Sequence, residues 1–156
     1  MPTHTFDSSV HLSLARSDVF AFFAAAGNLP RITPPKMKFR VLTAEPIVIH
    51  QGSIIDYSVR VFGVSMRWRS LISRWNPPIE FVDEQLQGPY ARWTHWHRFR
   101  DEAGGTKIED HVEYELPYRL LGELAHPLVR RQLEQIFGYR QQAIEQILLP
   151  IKSPDG

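Results

Sequence analysis

The sequence predicts an α+β fold in which a curved antiparallel sheet of seven strands surrounds one long C-terminal helix. For about a hundred residues, apolar and polar side chains alternate with the period of β-strands, and only short turns interrupt them. Segment 120–149 instead repeats apolar residues every three or four positions, which is typical of an amphipathic helix. Because no crossover helix separates the strands, the last helix has to cover one face of the sheet. The space between them is a candidate ligand cavity.

The N-terminal part predicts one strand and a pair of short helices. Segment 4–14 carries apolar residues at alternate positions, as a strand does. A helix follows, with Ser17 as its expected N-cap, and it stops before Gly27 and Asn28. Segment 29–35 contains three prolines, so it permits at most one more short helical turn.

Six further strands follow in quick succession. The sequences between them are His-Gln-Gly, Phe-Gly-Val, Asn-Pro-Pro, Gln-Gly-Pro and Asp-Glu-Ala-Gly-Gly. These are rich in turn-forming residues and short enough to join antiparallel neighbours. The predicted strands are 37–49, 53–62, 64–75, 80–86, 91–100 and 106–116.

The C-terminal segment is interrupted at Pro127 and at Arg140. Proline is tolerated in the first turn of a helix, so we expect a short leading piece and a long helix, 128–149, that begins near Pro127. Arg140 stands between Phe137 and Ile144 on the apolar stripe, so its guanidinium lies at or beside the face that packs on the sheet. Residues 3–149 are predicted to form a single domain, and residues 150–156 a disordered tail.

Composition restricts the classes of function. The 18 Lys and Arg residues balance 17 Asp and Glu residues, so the net charge of +1 favours neither nucleic acid nor an anionic membrane. The chain has no cysteine, which excludes disulfides, thiolate nucleophiles and cysteine-ligated metals. The N-terminus lacks a signal-peptide pattern, and no apolar run approaches the roughly 18 residues of a membrane span. We therefore expect a soluble, cytoplasmic protein.

Short motifs occur in a fixed order along the chain. They are Gly52-x-x-Ile-x-Tyr, Trp68-x-Ser-x-Ile-x-x-Trp-x-Pro-Pro, Phe81-Val-Asp-Glu-Gln, Gly88-Pro-Tyr, Trp93-x-His-x-His-x-Phe and Phe137-x-Tyr-Arg. Over residues 3–149 this order resembles the helix-grip fold of the START and Bet v 1-like (SRPBCC) superfamily, which includes bacterial polyketide cyclase/dehydrase and lipid-transport proteins. The resemblance implies a ligand-binding domain of that fold. Because the superfamily contains carriers, receptors and cyclases, the fold does not choose between binding and catalysis.

Strand alternation places several polar side chains inside the molecule. Asp110 and Tyr114 lie on the apolar face of the last strand, and His95 and His97 lie on the face of the preceding strand that carries no arginine. Such residues form either a hydrogen-bonded network within the core or a set that orients the polar end of a ligand. The predicted ligand-binding residues are His95, His97, Asp110, Tyr114, Arg140, Trp68, Trp93 and Phe137.

The main functional hypothesis is reversible binding of a hydrophobic small molecule, such as a lipid, isoprenoid, quinone or polyketide. The alternative is a cyclase or dehydratase that uses His95 or His97 as general base. A third possibility is a partner-binding module whose outer face is the working surface.

Metal and nucleic-acid sites have weaker support. His95-x-His97 and Glu102 match the cupin spacing, but Glu102 falls in a predicted hairpin tip and His111 faces outward, so a third ligand is missing. No metal or other cofactor is therefore predicted. The arginines of strand 64–75 alternate along one solvated face, so no nucleic-acid partner is predicted either. The strand that carries Asp83 and Gln85 is too short for its alternation to show which way they face.

Overall fold

The computed structural model describes residues 2–149, and the predicted tail lies outside them. The elements follow one another as a strand, short helices, six strands and a long helix. They are β1 (His4–Leu12), α1 (Arg16–Ala24), two 3₁₀ helices (Ala26–Ile32 and Pro35–Met37), β2 (Arg40–Val41), β3 (Ile54–Val61), β4 (Val64–Asn76), β5 (Glu80–Gln87), β6 (Arg92–Glu102), β7 (Gly105–Glu115) and α2 (Arg119–Leu148).

The seven strands form one antiparallel sheet in the order β1-β7-β6-β5-β4-β3-β2. Strands β3 to β7 pair with their neighbours in sequence, because each of their connections is a turn. Strand β2 pairs with β3 across the longer segment 42–53, and β1 joins the far edge beside β7. The fold is therefore the predicted helix-grip α+β architecture. Strands β5, β6 and β7 are adjacent in this order, which brings their inward side chains together.

The predicted facing of the last two strands is confirmed. Asp110 and Tyr114 of β7 are buried, as are His95 and His97 of β6. The intervening residues of β7 are only half-buried, because the outer face of the sheet meets solvent.

Three local predictions were wrong. Helix α1 begins at Arg16 with Ala15 at its N-cap, because the Ala15 carbonyl already accepts the first helical hydrogen bonds, so Ser17 lies inside the first turn. The expected strand 37–49 is reduced to β2, since this edge segment contains Pro46, which has no N–H to donate. Helix α2 is continuous through Pro127, because a proline removes one backbone hydrogen bond and leaves those of its neighbours.

Helix α2 crosses the concave face of the sheet and contributes to two apolar clusters. In its last turns Ile144 and Leu148 pack with the aromatic side chains of α1. Earlier along the helix, Leu133 and Phe137 pack with Trp93 and other residues from β1, β6 and β7. Each such side chain contributes about 1.5–3 kcal/mol when it is fully buried. The two clusters hold the helix against the sheet at both ends of a central gap.

The first turns of α2 are exposed. They carry four exposed leucines, whereas burial of the apolar stripe begins at Val129. Among residues 2–149, no helix is both long and apolar enough to cross a membrane. The exposed leucines are Leu120, Leu121, Leu124 and Leu128.

Candidate functional site

A cavity lies between the concave face of the sheet and α2. Its free volume is about 160 Å³, similar to apolar cavities of about 150 Å³ that hold one benzene molecule. Gln132 and Ile136 of α2 also line it and are half-exposed. Among the apolar side chains of its wall are Ile55, Tyr57, Val59, Ile72, Phe81 and Leu133. The walls therefore favour an apolar ligand.

Six of the eight predicted ligand-binding residues line this cavity. They are Trp68, Trp93, His95, His97, Phe137 and Arg140. Trp68 and Trp93 meet edge to face, with ring centroids 5.3 Å apart, which fixes two aromatic walls at right angles.

Five polar residues form one group, here called the histidine cluster: Asp83, His95, His97 and Arg140 at the wall of the cavity, and Asp110 behind them. Asp83 of β5 lies opposite His95 of β6, and His97 lies opposite Asp110 of β7. The hydrogen bonds nevertheless run diagonally. His95 Nε2 donates to Asp110 Oδ1 at 2.8 Å, and His97 Nε2 donates to Asp83 Oδ2 at 2.5 Å.

The two imidazole rings stack, with centroids 3.6 Å apart. This stacking also brings each ring near the other carboxylate. His95 Nδ1 lies 3.9 Å from Asp83 Oδ2, and His97 Nδ1 lies 3.6 Å from Asp110 Oδ1. Both distances are too long for hydrogen bonds. Each carboxylate is thus bonded to one imidazole and faces the other.

Arg140 reaches the histidine cluster from α2. Its Nη1 lies 4.0 Å from Asp110 Oδ1, and its guanidinium lies over the Phe137 ring at 5.0 Å. Arg140 is therefore close to a carboxylate, as a guanidinium buried on the apolar stripe requires. Arg140 Nε, Arg140 Nη1 and His97 Nδ1 are buried and have no hydrogen-bond partner among the described residues. Such atoms cost free energy unless something else pairs with them.

Burial and charge shift the pKa values of the cluster in opposite directions. Burial, with the nearby His95, lowers the pKa of His97 to about 4, although Asp83 and Asp110 oppose the shift. Burial alone would raise the pKa of Asp83, but the His97 hydrogen bond, with the nearby imidazoles and the Arg140 guanidinium, holds it below its usual value. Burial likewise opposes a lowered pKa at Asp110, where the His95 hydrogen bond and Arg140 outweigh it. At neutral pH the carboxylates are charged and His97 is neutral.

The other two predicted ligand-binding residues lie outside the cavity wall. Asp110 is buried beneath the histidines and is not among the residues that line the cavity. Tyr114 is fully buried, and its hydroxyl is hydrogen-bonded to His126 Nε2 at 2.9 Å. Asp110 therefore acts on the cavity through its hydrogen bond with His95, and Tyr114 makes a separate contact with α2.

Residues considered in the cupin pattern are dispersed. Glu102 is the last residue of β6, is about half exposed, and lies 3.9 Å from His11. His111 faces outward, as expected, and contacts Asp7. The carboxylate that does join His95 and His97 is Asp83, from the preceding strand.

The sequence analysis does not predict which way the side chain of Asp83 faces. The turn sequence between β5 and β6 could have predicted it. That turn centres on Pro89, and a symmetric hairpin around Pro89 pairs Asp83 with inward-facing His95. Gln85 helps to close this turn. Its side-chain amide donates to the Tyr90 carbonyl at 2.8 Å and accepts from the Tyr90 N–H at 3.1 Å. Gln85 thereby positions Tyr90, which also lines the cavity.

Known structures and families agree with this architecture. The fold is similar to the di-domain ARO/CYC StfQ from the steffimycin biosynthetic pathway (TM-score 0.77, 16% identity, 96% of this chain and 51% of that one). It is also similar to TTHA0849 from Thermus thermophilus (TM-score 0.69, 18% identity, 96% and 100% covered) and to Ms6760 from Mycobacterium smegmatis (TM-score 0.68, 14% identity, 94% and 92% covered).

At these identities, structural similarity describes the fold and not the activity. No curated protein matches the sequence significantly. The model of one family does match, over residues 12–137 and therefore most of the chain. The chain belongs to the polyketide cyclase/dehydrase and lipid transport family.

Proposed function

We propose that the protein binds a hydrophobic small molecule, of the lipid, isoprenoid, quinone or polyketide class, with its polar end at the histidine cluster. The observation that carries this proposal is the set of buried polar atoms at the wall of an apolar cavity. Arg140 Nε, Arg140 Nη1 and His97 Nδ1 have no hydrogen-bond partner among residues 2–149. A ligand oxygen would satisfy the guanidinium donors, which otherwise cost about 1–3 kcal/mol each.

The cavity sets the size of the buried part of the ligand. With the side chains in their present positions, about 160 Å³ accepts roughly one aromatic ring or an equivalent aliphatic fragment. The rest of a longer ligand would extend past Gln132 and Ile136, which are half-exposed. Apolar burial, at about 25 cal/mol per Å², supplies most of the affinity, and the polar end supplies orientation.

The enzyme hypothesis depends on the free lone pair of His97. Asp83 holds the Nε2–H of the neutral ring, so the lone pair is at Nδ1, a buried atom without a hydrogen-bond partner among the described residues. The pKa of about 4 makes this nitrogen a weak base, and the ring would have to turn Nδ1 from Asp110, 3.6 Å away, toward the ligand. Such a base could remove a proton next to a ligand carbonyl, the kind of step that cyclisation and dehydration need. The similar StfQ is described as an ARO/CYC. We retain catalysis as the second candidate function.

Native mass spectrometry of protein purified without delipidation tests the binding proposal. A retained mass identifies the ligand class, and displacement of an apolar fluorescent probe then gives its affinity. We expect Trp68→Leu to weaken binding, whereas the matched variant Trp96→Leu should not, because Trp96 faces outward toward His111. Saturable binding that is unchanged by Trp68→Leu would place the site elsewhere.

The polar end is tested by a second matched pair. Arg140→Gln should weaken binding of a ligand with a carbonyl or acid group about 10- to 100-fold, the scale of one or two hydrogen bonds to a charged group. Arg100→Gln changes an exposed arginine on the other face of β6 and should have no effect. Equal affinities for both variants would exclude Arg140 as the anchor.

Substitution of His97 distinguishes carrier from enzyme. In a carrier, His97→Gln weakens binding by a few kcal/mol at most and the ligand is released unchanged. In an enzyme, the same change reduces turnover by about 10²- to 10⁴-fold while substrate still binds. Turnover that survives both His97→Gln and His95→Gln would exclude a histidine base.

A cytoplasmic location and the lack of a nucleic-acid partner remain predictions from the sequence. Cell fractionation and a binding assay with random-sequence DNA and RNA would test them.

A further inference from the structure

We propose that Asp83, His95 and His97 form a binding site for one divalent first-row transition metal ion, with Zn²⁺ as the simplest case. This site does not depend on the proposed ligand-binding function. Two imidazoles and one carboxylate are the ligand set of many such centres, and they leave further coordination positions open. Here the open positions would face the cavity, because all three residues line it.

The three ligand atoms are close enough to share one ion. Asp83, His95 and His97 each offer one ligand atom, and these three atoms lie within 4.8 Å of one another. Asp83 Oδ2 is 2.5 Å from His97 Nε2 and 3.9 Å from His95 Nδ1. Ligand atoms bound at about 2.0–2.1 Å in tetrahedral geometry lie about 3.3–3.4 Å apart. Each of these two distances therefore has to change by less than about 1 Å.

Asp110 sets the tautomer of His95. The carboxylate can only accept, so His95 Nε2 carries the proton and donates it across 2.8 Å. In the neutral ring, Nδ1 then has a lone pair that faces Asp83 Oδ2, which is also an acceptor, at 3.9 Å. Two acceptors that face each other repel unless a cation lies between them. A carboxylate–histidine pair that orients a metal ligand in this way is common around bound metals.

His97 supplies an independent observation. Its side chain is only 8% exposed, and its Nδ1 has no hydrogen-bond partner among the described residues although it lies 3.6 Å from Asp110 Oδ1. When an ion occupies Nε2, the ring proton moves to Nδ1, where Asp110 is the nearby acceptor. Ion binding would therefore turn this orphaned atom into a donor that faces Asp110, and a hydrogen bond would form once the 3.6 Å separation closes to about 3 Å. Asp110 would then orient both metal-ligating imidazoles.

The charges of the histidine cluster also favour a cation. Metal ligation requires neutral imidazoles, and in that state two carboxylates face one guanidinium, which leaves one excess negative charge. A divalent ion changes the net charge of the cluster from one negative to one positive. One anionic group bound at an open coordination position would then make the site neutral. Arg140 opposes the ion, but it lies on the Asp110 side, where the second carboxylate offsets it.

Sequence spacing alone argues against a metal because it offers Glu102 as the third ligand. The structure brings Asp83 into that position instead, through the pairing of β5 with β6. The site thus combines three ligands, one shared supporting carboxylate and one buried nitrogen without a partner in the described part of the chain.

The test uses the full-length protein, treated with a chelator and then titrated with Zn²⁺ and with Co²⁺. We expect one ion per chain, with visible Co²⁺ d–d bands of a nitrogen- and oxygen-ligated centre. X-ray absorption of the Zn²⁺-loaded wild type should show two imidazoles bound directly to the ion, a readout that does not depend on any variant being folded. A wild type that fails to bind either ion overturns the proposal.

Variants assign the ligands. Asp83→Asn and His97→Gln should each abolish stoichiometric binding, and Asp110→Asn should weaken it about 10- to 100-fold through the lost support of the imidazoles. The control is His11→Gln, at the surface pair with Glu102, which should leave affinity unchanged. Circular dichroism identifies variants that do not fold. Stoichiometric binding that survives Asp83→Asn in folded protein, or that is lost in His11→Gln, contradicts the assignment.

Discussion

The molecule contains imidazole–carboxylate pairs of similar geometry in two different environments. In the histidine cluster, His95 Nε2 and Asp110 Oδ1 are 2.8 Å apart and their side chains are 5% and 9% exposed. On the outer face of the sheet, His111 Nδ1 and Asp7 Oδ1 are 2.6 Å apart, but their side chains are 32% and 70% exposed. The chemical groups and the distances are nearly the same. We therefore expect burial, and not contact distance, to decide how much each pair contributes to stability.

Solvent explains the difference. A buried polar group that loses its hydrogen-bond partner costs about 1–3 kcal/mol, because no solvent replaces the partner. At the surface, water can form hydrogen bonds with His111 or Asp7 when the other residue is removed. The buried groups have no such replacement. Substitution of one residue of the surface pair should therefore cost little stability, whereas substitution of one residue of the buried cluster should cost much more.

The largest expected effect comes from Asp110→Ala. This change leaves Arg140 without its nearby carboxylate and His95 without its acceptor, so we expect the free energy of unfolding to fall by about 3–5 kcal/mol. Asp7→Ala is the matched control and should cost about 1 kcal/mol or less. Urea unfolding of both variants measures the difference. Similar losses for the two variants would contradict the comparison.

The coupling between Arg140 and Asp110 should be the next largest effect. We expect Arg140→Met and Asp110→Asn to be non-additive by about 0.5–3 kcal/mol, because each single change leaves the other charge buried with less compensation. The double variant should therefore be more stable than the sum of the singles predicts. A double-mutant cycle by urea unfolding gives this value, and strict additivity would mean that the 4.0 Å separation carries no interaction.

Tyr114→Phe tests a contact at the boundary of the two environments. The Tyr114 ring is fully buried, but its hydroxyl meets His126, which is half-buried. Loss of one neutral hydrogen bond should lower the free energy of unfolding by about 0.5–1.5 kcal/mol. The control Tyr118→Phe, at an 80% exposed residue, should change it by less than about 0.5 kcal/mol. Thermal unfolding monitored by circular dichroism measures both.

The smallest effect is expected at Asp56, where pH is the variable. The hydrogen bond from Arg69, helped by Arg67, holds the pKa of Asp56 below its usual value of 3.8, although burial opposes the shift. A carboxyl with a lowered pKa in the folded state stabilises the protein above its unfolded pKa, and that contribution is lost as pH falls through the folded pKa. The bridges to these exposed arginines should contribute about 0.2–1 kcal/mol each.

The measurement compares the wild type with Asp56→Asn at pH 7 and at several pH values below 3.8. The difference in unfolding free energy should be present at pH 7, shrink with added salt, and disappear on acidification. A difference that persists at the lowest pH would mean that the charge of Asp56 is not its source.

Much of the fold could be predicted from the sequence because alternation and turn chemistry are local signals. In β6, arginines alternate with His95 and His97, which predicts that the histidines face inward. In β7, Asp110 and Tyr114 alternate in step with the apolar residues, which predicts the same for them. The same local reasoning fails at Pro127. The low helix propensity of proline predicts a break there, but α2 continues through it because packing against the sheet stabilises the helix.

The site was less predictable because it depends on register between strands. Asp83 joins His97 only when β5 pairs with β6, and β5 is also offset from β4 by two register shifts that no local pattern reveals. Tyr114 points inward as expected, yet its partner His126 comes from α2, whose rotation about its own axis sequence periodicity defines only roughly. Contacts between elements decide these details.

The cavity also makes the stability of the protein depend on what fills it. A molecule that binds the folded chain and not the unfolded one, present at about 100 times its dissociation constant, adds about 2.7 kcal/mol to the free energy of unfolding. For a domain of this size, that corresponds to a rise in melting temperature of roughly 5–10 °C. The melting temperature of the protein in a cell lysate, compared with that of delipidated protein, therefore reports how much of the natural population is occupied.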